Sequence, residues 1–171
     1  MGLSLEELRR VVEERGLTPC HVFFASYLAA LNAAGILNQA LVDFLARHAA
    51  ETLHAYLLAM GRIGEGDAPE KLVDETLDAL QWGEWSVEKH GDELVLRVVT
   101  GKCRYCPKGV GRAELPSTAC PLPKLLEAML RRAGYAASVE QVEERGHRRE
   151  LVKEGGVCVI RYRLQGSSAA R

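Results

Sequence analysis

No run of consecutive apolar residues in this chain approaches the roughly 18–20 that a membrane-spanning helix needs. A spanning segment is therefore not expected. Net charge is also missing, at -1 with a pI near 6.5, so no global field draws the chain toward nucleic acid or an anionic membrane. The opening residues Met1 to Glu7 are acidic where a secretory leader would be basic, and the chain is expected to be cytoplasmic. Gln and Asn are few beside Glu, Arg and Lys, a balance compatible with a thermophilic source. There is no internal repeat and no low-complexity linker. Gly109-Val110-Gly111 lacks the lysine-serine and the strand-to-helix setting of a phosphate loop, and no serine, histidine and acid set stands out as a triad. What remains is 171 residues, 47% apolar and 26% charged, enough to bury a sizeable single core.

The first half reads as helix. Ser4 with Glu7 forms a capping box ahead of Leu5, Leu8, Val11 and Val12, and Gly16 stops that helix. A second apolar run follows Pro19 and ends near Gly35, and a third, from Ile36 to Met60, is closed by Gly61. Pro69 opens a fourth helix over Glu70 to Leu80. The second half changes period. Trp85 to His90 and Glu93 to Thr100 are predicted strands around the Gly91-Asp92 turn. Leu122 to Ala133 reads as an amphipathic helix ended by Gly134. Tyr135 to Glu143 and Val157 to Leu164 read as strands, with the charged interval Glu144 to Lys153 as a loop or hairpin arm between them. Helices, hairpin, helix, hairpin is the order of an α+β domain: N-terminal helices packed on an antiparallel sheet of two hairpins with an intervening helix. Residues 1–35 are expected to be a helical arm with a possible role in dimerisation, 36–165 the domain, and 166–171 a mobile tail.

Five cysteines are unevenly spread. Cys103-Arg104-Tyr105-Cys106 is followed after thirteen residues by Cys120-Pro121, so three of the five fall within one short segment. An odd total in a reducing compartment argues against full disulfide pairing, and a Cys-x2-Cys step can bring two thiolates to one ion. Zinc held by Cys103, Cys106 and Cys120 is the expectation, with Lys102, Arg104 and Lys108 offsetting the charge. An iron-sulfur cluster is the less favoured metal, because ferredoxin cysteines are more closely spaced. Reduced free thiols, with prolines shaping the turn, are the bland reading. A redox Cys-x2-Cys is weakened by the absence of a surrounding β-α-β pattern.

The Leu80-Gln81-Trp82-Gly83 run, the Leu94 to Val98 strand leading to Cys103 and Cys106, the helix opening at Cys120, and the final strand Cys158 to Tyr162 together resemble the 4-vinyl-reductase, or hydrocarbon-binding, domain family. The resemblance covers about Ile36 to Leu164. It implies the fold shared by TRAPP subunits and heme nitric-oxide-binding domains, a small apolar or lipid ligand, and dimers formed through N-terminal helices. It also sets the Cys158 strand beside the cysteine loop, which makes Cys158 the preferred fourth zinc ligand over His147 and His90. The family's further cysteine ahead of the last strand has no counterpart in Glu143-Glu144-Arg145-Gly146-His147.

Three functions follow in order. The first is a non-enzymatic domain that binds a small hydrophobic ligand and carries cysteine-ligated zinc, its pocket lined by Phe23, Tyr27, Phe44 and Tyr56. The second is a homodimeric interaction or redox-sensing module with structural zinc or free thiols, the apolar stripes then serving as core or dimer seam. The third is an enzyme, a tetrapyrrole-related vinyl reductase or its accessory protein, although no catalytic acid-base pair is visible. His48 and His54 stand six apart, off the spacing of helical metal pairs, and Cys20 reads as a small hydrophobe.

Overall fold

A computed structural model of the chain describes residues 4–106, 110, 119–144 and 147–165. The 166–171 tail, Lys108 and most of the Gly109 to Gly111 run lie outside the described residues. Four helices come first: α1 (Leu5–Arg15), α2 (Pro19–Ala33), α3 (Gln39–Ala59) and α4 (Pro69–Ala79). The Ser4 hydroxyl accepts the Glu7 N–H, and the Glu7 carboxylate returns to the Ser4 N–H at 2.8 Å, so both halves of the capping box form. The third helix begins later than the apolar pattern predicts. Asn38 caps it by accepting the Leu41 N–H at 2.9 Å, which leaves Ile36 and Leu37 outside.

The hairpin β1 (Trp85–His90) and β2 (Glu93–Val99) turns at Gly91-Asp92 as expected. A 3-10 turn, Thr100–Lys102, follows, and α5 (Leu122–Arg132) leads to β3 (Ala136–Val139). The predicted strand Tyr135 to Glu143 breaks after β3, and β4 (Val142–Glu144) pairs with β5 (His147–Arg149) in a separate ribbon, so the charged interval takes the form of a hairpin arm; β6 (Val152–Glu154) follows. The last strand, β7 (Val157–Gln165), is the centre of the main antiparallel sheet. It pairs with β2 along one edge, while β6 and β3 share its other edge end to end. The fold is thus α+β, with N-terminal helices and an antiparallel sheet.

Strand alternation decides what meets the helices. Leu94, Leu96 and Val98 stand opposite Tyr162, Ile160 and Cys158, and these six side chains share one face. Against that face lie Leu122, Leu125, Leu126, Met129 and Leu130 of α5, with Leu57 of α3 and Leu72 and Leu77 of α4, all buried. The Tyr162 hydroxyl donates to the Pro123 carbonyl at 3.2 Å, and burial pushes its pKa well up. Gly83 occupies a tight spot before β1. A Cβ there would lie 2.1 Å from the Lys102 carbonyl oxygen, and its φ of 131° is open only to glycine. This close approach seats Trp82 in the core beside the residues that follow β2. Among the described residues no helix is long and apolar enough to cross a membrane.

Candidate functional site

Three separate pieces of chain converge where β2 ends. Cys103, buried, and Cys106, half-buried, come from the turn after the 3-10 segment; half-buried Cys120 precedes α5; half-buried Cys158 projects from β7 on the helix-facing side, two residues before Ile160. All four line one cavity of about 40 Å³, together with Trp82, Tyr105 and Leu122. The floor is fixed by Thr100, whose N–H and hydroxyl both donate to the Gly156 carbonyl, at 2.9 and 2.7 Å, tying the cysteine turn to the start of β7.

The zinc expectation is overturned here. The cysteines are free thiols, and no group of three or more His, Cys, Asp or Glu among the described residues is disposed to hold a metal ion. The iron-sulfur alternative falls with it. Burial raises the pKa of Cys103, with a further rise from Cys106. Burial likewise pushes Cys120 far above the ordinary thiol range, and raises Cys158 against the opposing charge of Lys153. Both proposed alternative ligands are remote or undescribed. His90 is exposed beside Glu88 at the end of β1 away from Cys158, and the side chain of His147 lies outside the described residues.

Phe23, Tyr27, Phe44 and Tyr56, expected to line a ligand pocket, are not among the residues that line the thiol cavity. All four lie exposed on α2 and α3, with Phe23 stacked on Tyr27 and Phe44 on His48. Cys20 is exposed on α2, far in sequence from the other thiols, and His54 is half-buried, its pKa lowered by burial.

Residues that spacing rules pass over build much of the site. Tyr105, a mere spacer in the Cys-x2-Cys pattern, stacks on Trp82 with ring centroids 4.2 Å apart. Its ring also receives His21 at 5.0 Å and Phe24 at 5.4 Å, both from α2, in edge-on contacts. The end of α1 clasps the same turn. The Arg15 guanidinium donates to the carbonyls of Cys103, with Nε at 2.9 Å, and Cys106, at 2.7 Å. Arg104 and Lys102 reach back to the Arg15 and Glu14 carbonyls at 3.3 Å, capping α1 with positive charge. The Trp82 indole N–H is buried without a partner among the described residues, a desolvated donor at the cavity wall.

A family model matches residues 35–164, from just after α2 to the end of β7, and bears the description MJ0207 family. The chain belongs to the MJ0207 family. The chain is 31% identical over 72 residues to a protein of Methanocaldococcus jannaschii described as uncharacterized protein MJ1342. That similarity takes in 42% of this chain and spans 61% of the relative's length. The thiol-lined cavity lies in the part matched to the MJ0207 family, whereas α1 and α2, which clasp it, precede that part.

Proposed function

We propose that the chain is a non-enzymatic interaction module of the 4-vinyl-reductase type, working as a homodimer in a reducing, cytoplasmic setting. The observation that carries this reading is the composition and exposure of α2. Fifteen residues, Pro19–Ala33, contain no Asp, Glu, Lys or Arg. One face buries His21, Ala25 and Leu28, and the opposite face presents Cys20, Phe23, Tyr27 and Ala30 to water. A helix apolar on both sides is one that expects cover on both sides.

A second copy is the cover inferred for the exposed apolar residues of α2 and α3. Phe23 is 73% exposed, Phe44 60%, and Tyr27 and Tyr56 53% each. At 150–250 Å² per aromatic, these four leave on the order of 500 Å² of ring surface in water. A standard interface takes roughly 800 Å² from each partner, and Ile36, Leu45 and Met60, also exposed, supply much of the remainder. An anionic lipid surface would call for Lys or Arg flanking the apolar face, and α2 has neither. The resemblance of the Cys103, Cys120 and Cys158 segments to 4-vinyl-reductase domains supports the same reading. The family's hydrocarbon-sized pocket does not enter it, because about 40 Å³ is far less than the roughly 150 Å³ that accepts a benzene ring.

Sedimentation equilibrium at micromolar concentration tests the proposal. The expected mass is twice that of the chain, falling to one chain in a Phe23→Glu, Tyr27→Glu variant with unchanged circular dichroism. A wild-type chain that stays monomeric up to about 100 μM, a concentration at which even modest interfaces assemble, ends it.

A further inference from the structure

The four-thiol cavity is not absorbed by self-association, and its wall is the surface on which the N-terminal arm sits. We infer that Cys103 and Cys106 are a reversible dithiol–disulfide pair whose closure unfastens α1 and α2 from the domain. The pair stands three residues apart in a Cys-x2-Cys step, and the backbone N–H of Cys106 reaches the Cys103 sulfur. Both residues line the same cavity, whose 40 Å³ admits two or three water-sized groups, room for a peroxide. Cys103 is the sulfur that the turn supplies with hydrogen-bond donors, although its pKa is raised overall. Burial and the neighbouring Cys106 work against its anion, but backbone N–H groups of Tyr105 and Cys106 and the Arg15 guanidinium work for it.

The redox step balances with an oxidant of the peroxide class. The Cys103 sulfur, losing its proton to water, attacks one peroxide oxygen; the O–O bond breaks, a sulfenic acid forms, and the leaving hydroxide takes up a proton. The Cys106 sulfur then attacks the sulfenic sulfur, giving the disulfide and a second water. Two thiols are oxidised by two electrons and the peroxide is reduced to two waters. Thiol reductants return the pair to its starting state.

Coupling to the arm follows from what the turn holds. Arg15 is hydrogen-bonded to the carbonyls of both cysteines, and Tyr105, the residue between them on the cavity wall, is the ring against which His21 and Phe24 pack. A disulfide draws the two Cβ atoms to about 3.8 Å and fixes the dihedral between them near a right angle. The two carbonyls and the Tyr105 ring move with that change, so the α1 clasp and the α2 seat are lost together.

Reduced full-length protein treated with hydrogen peroxide tests this, with thiol titration, peptide mapping under non-reducing conditions, and tryptic cleavage after Arg15 as the readout of the arm. Expected are the loss of two thiols per chain, a Cys103–Cys106 peptide, several-fold faster cleavage, and reversal by dithiothreitol. Cys106→Ser should abolish both the bond and the faster cleavage, and Cys20→Ser should leave both intact. The wild-type map stands alone if Cys106→Ser misfolds. Five thiols surviving peroxide, a bond that omits Cys103, or a bond with unchanged cleavage would each overturn the inference. Sedimentation of the oxidised and reduced forms separates this result from self-association, since the disulfide is within one chain and forms in a monomer as well.

Discussion

The sheet with α5 and the N-terminal arm are held by different physics. Between β2, β7 and α5 the packing is continuous and apolar: Leu94, Leu96, Ile160, Leu126, Met129 and Leu130 are all fully buried. The arm meets the domain through two small apolar clusters, Leu17 and Ala25 with Val110, and Ala29 with Val42 and Ala119, together with a guanidinium on two carbonyls and edge-on aromatic contacts. Apolar packing is non-directional and tolerates small shifts, whereas hydrogen bonds weaken steeply with angle. The domain is therefore the part that sets global stability. The arm is the part whose attachment can be changed by a small movement of one turn.

Substitution can break that contrast at three depths. Leu126→Ala, in the centre of the apolar layer, should lower global unfolding free energy by about 2–5 kcal/mol, read by urea denaturation with the slope unchanged. Arg15→Ala should cost about 1.5–3 kcal/mol, and locally: hydrogen exchange should quicken in α1 and α2 while β2 and β7 keep their protection. An equal loss of protection in β7 would show that arm and domain are one cooperative unit.

The smallest effect is a titration. The His21 Nδ1 accepts the Thr18 N–H at 3.0 Å, so the ring proton sits on Nε2, facing the Leu80 carbonyl. Burial first, then the charges of Arg104 and Arg15, lower its pKa, against the raising effect of Leu80. Below the unfolded value of about 6.5 the unfolded chain binds the proton more readily than the folded one. Stability from neutral His21 is thus complete above that pH and is lost as pH falls below it. His54 adds a shift of the same sign, so the diagnostic is a shallower acid limb of melting temperature in His21→Gln than in wild type.

Local features were legible from sequence because their causes are local. The Ser4 and Glu7 capping box, the Gly91-Asp92 hairpin and the apolar stripe of α5 each rest on residues a few positions apart. Topology was not. That β7 sits between β2 and two short strands depends on pairings across some sixty residues, and strands of three residues such as β4, β5 and β6 are too short to carry a period. The site was half legible. Cysteine spacing drew attention to the right place, since Cys103, Cys106, Cys120 and Cys158 do line one cavity, but spacing says nothing of burial, which raises the pKa of Cys103, Cys120 and Cys158. The stripe of aromatics has a helical period that fits a pocket lining and an outer face equally well, and all four rings are exposed. Arg15 carried no signal at all, because its partners are main-chain carbonyls about ninety residues away.

The chain contains only two tryptophans, and their settings are opposite. Trp82 is buried against Tyr105 and the thiols, while Trp85 lies on β1 with its indole N–H on the Asp74 carboxylate at 2.9 Å. Sulfur close to an indole quenches its emission, and an aromatic neighbour stacked on it fixes its spectrum. The protein therefore carries a native optical probe inside the cavity and a reference outside it. Any event that shifts the Tyr105 turn is readable as light from an unlabelled chain.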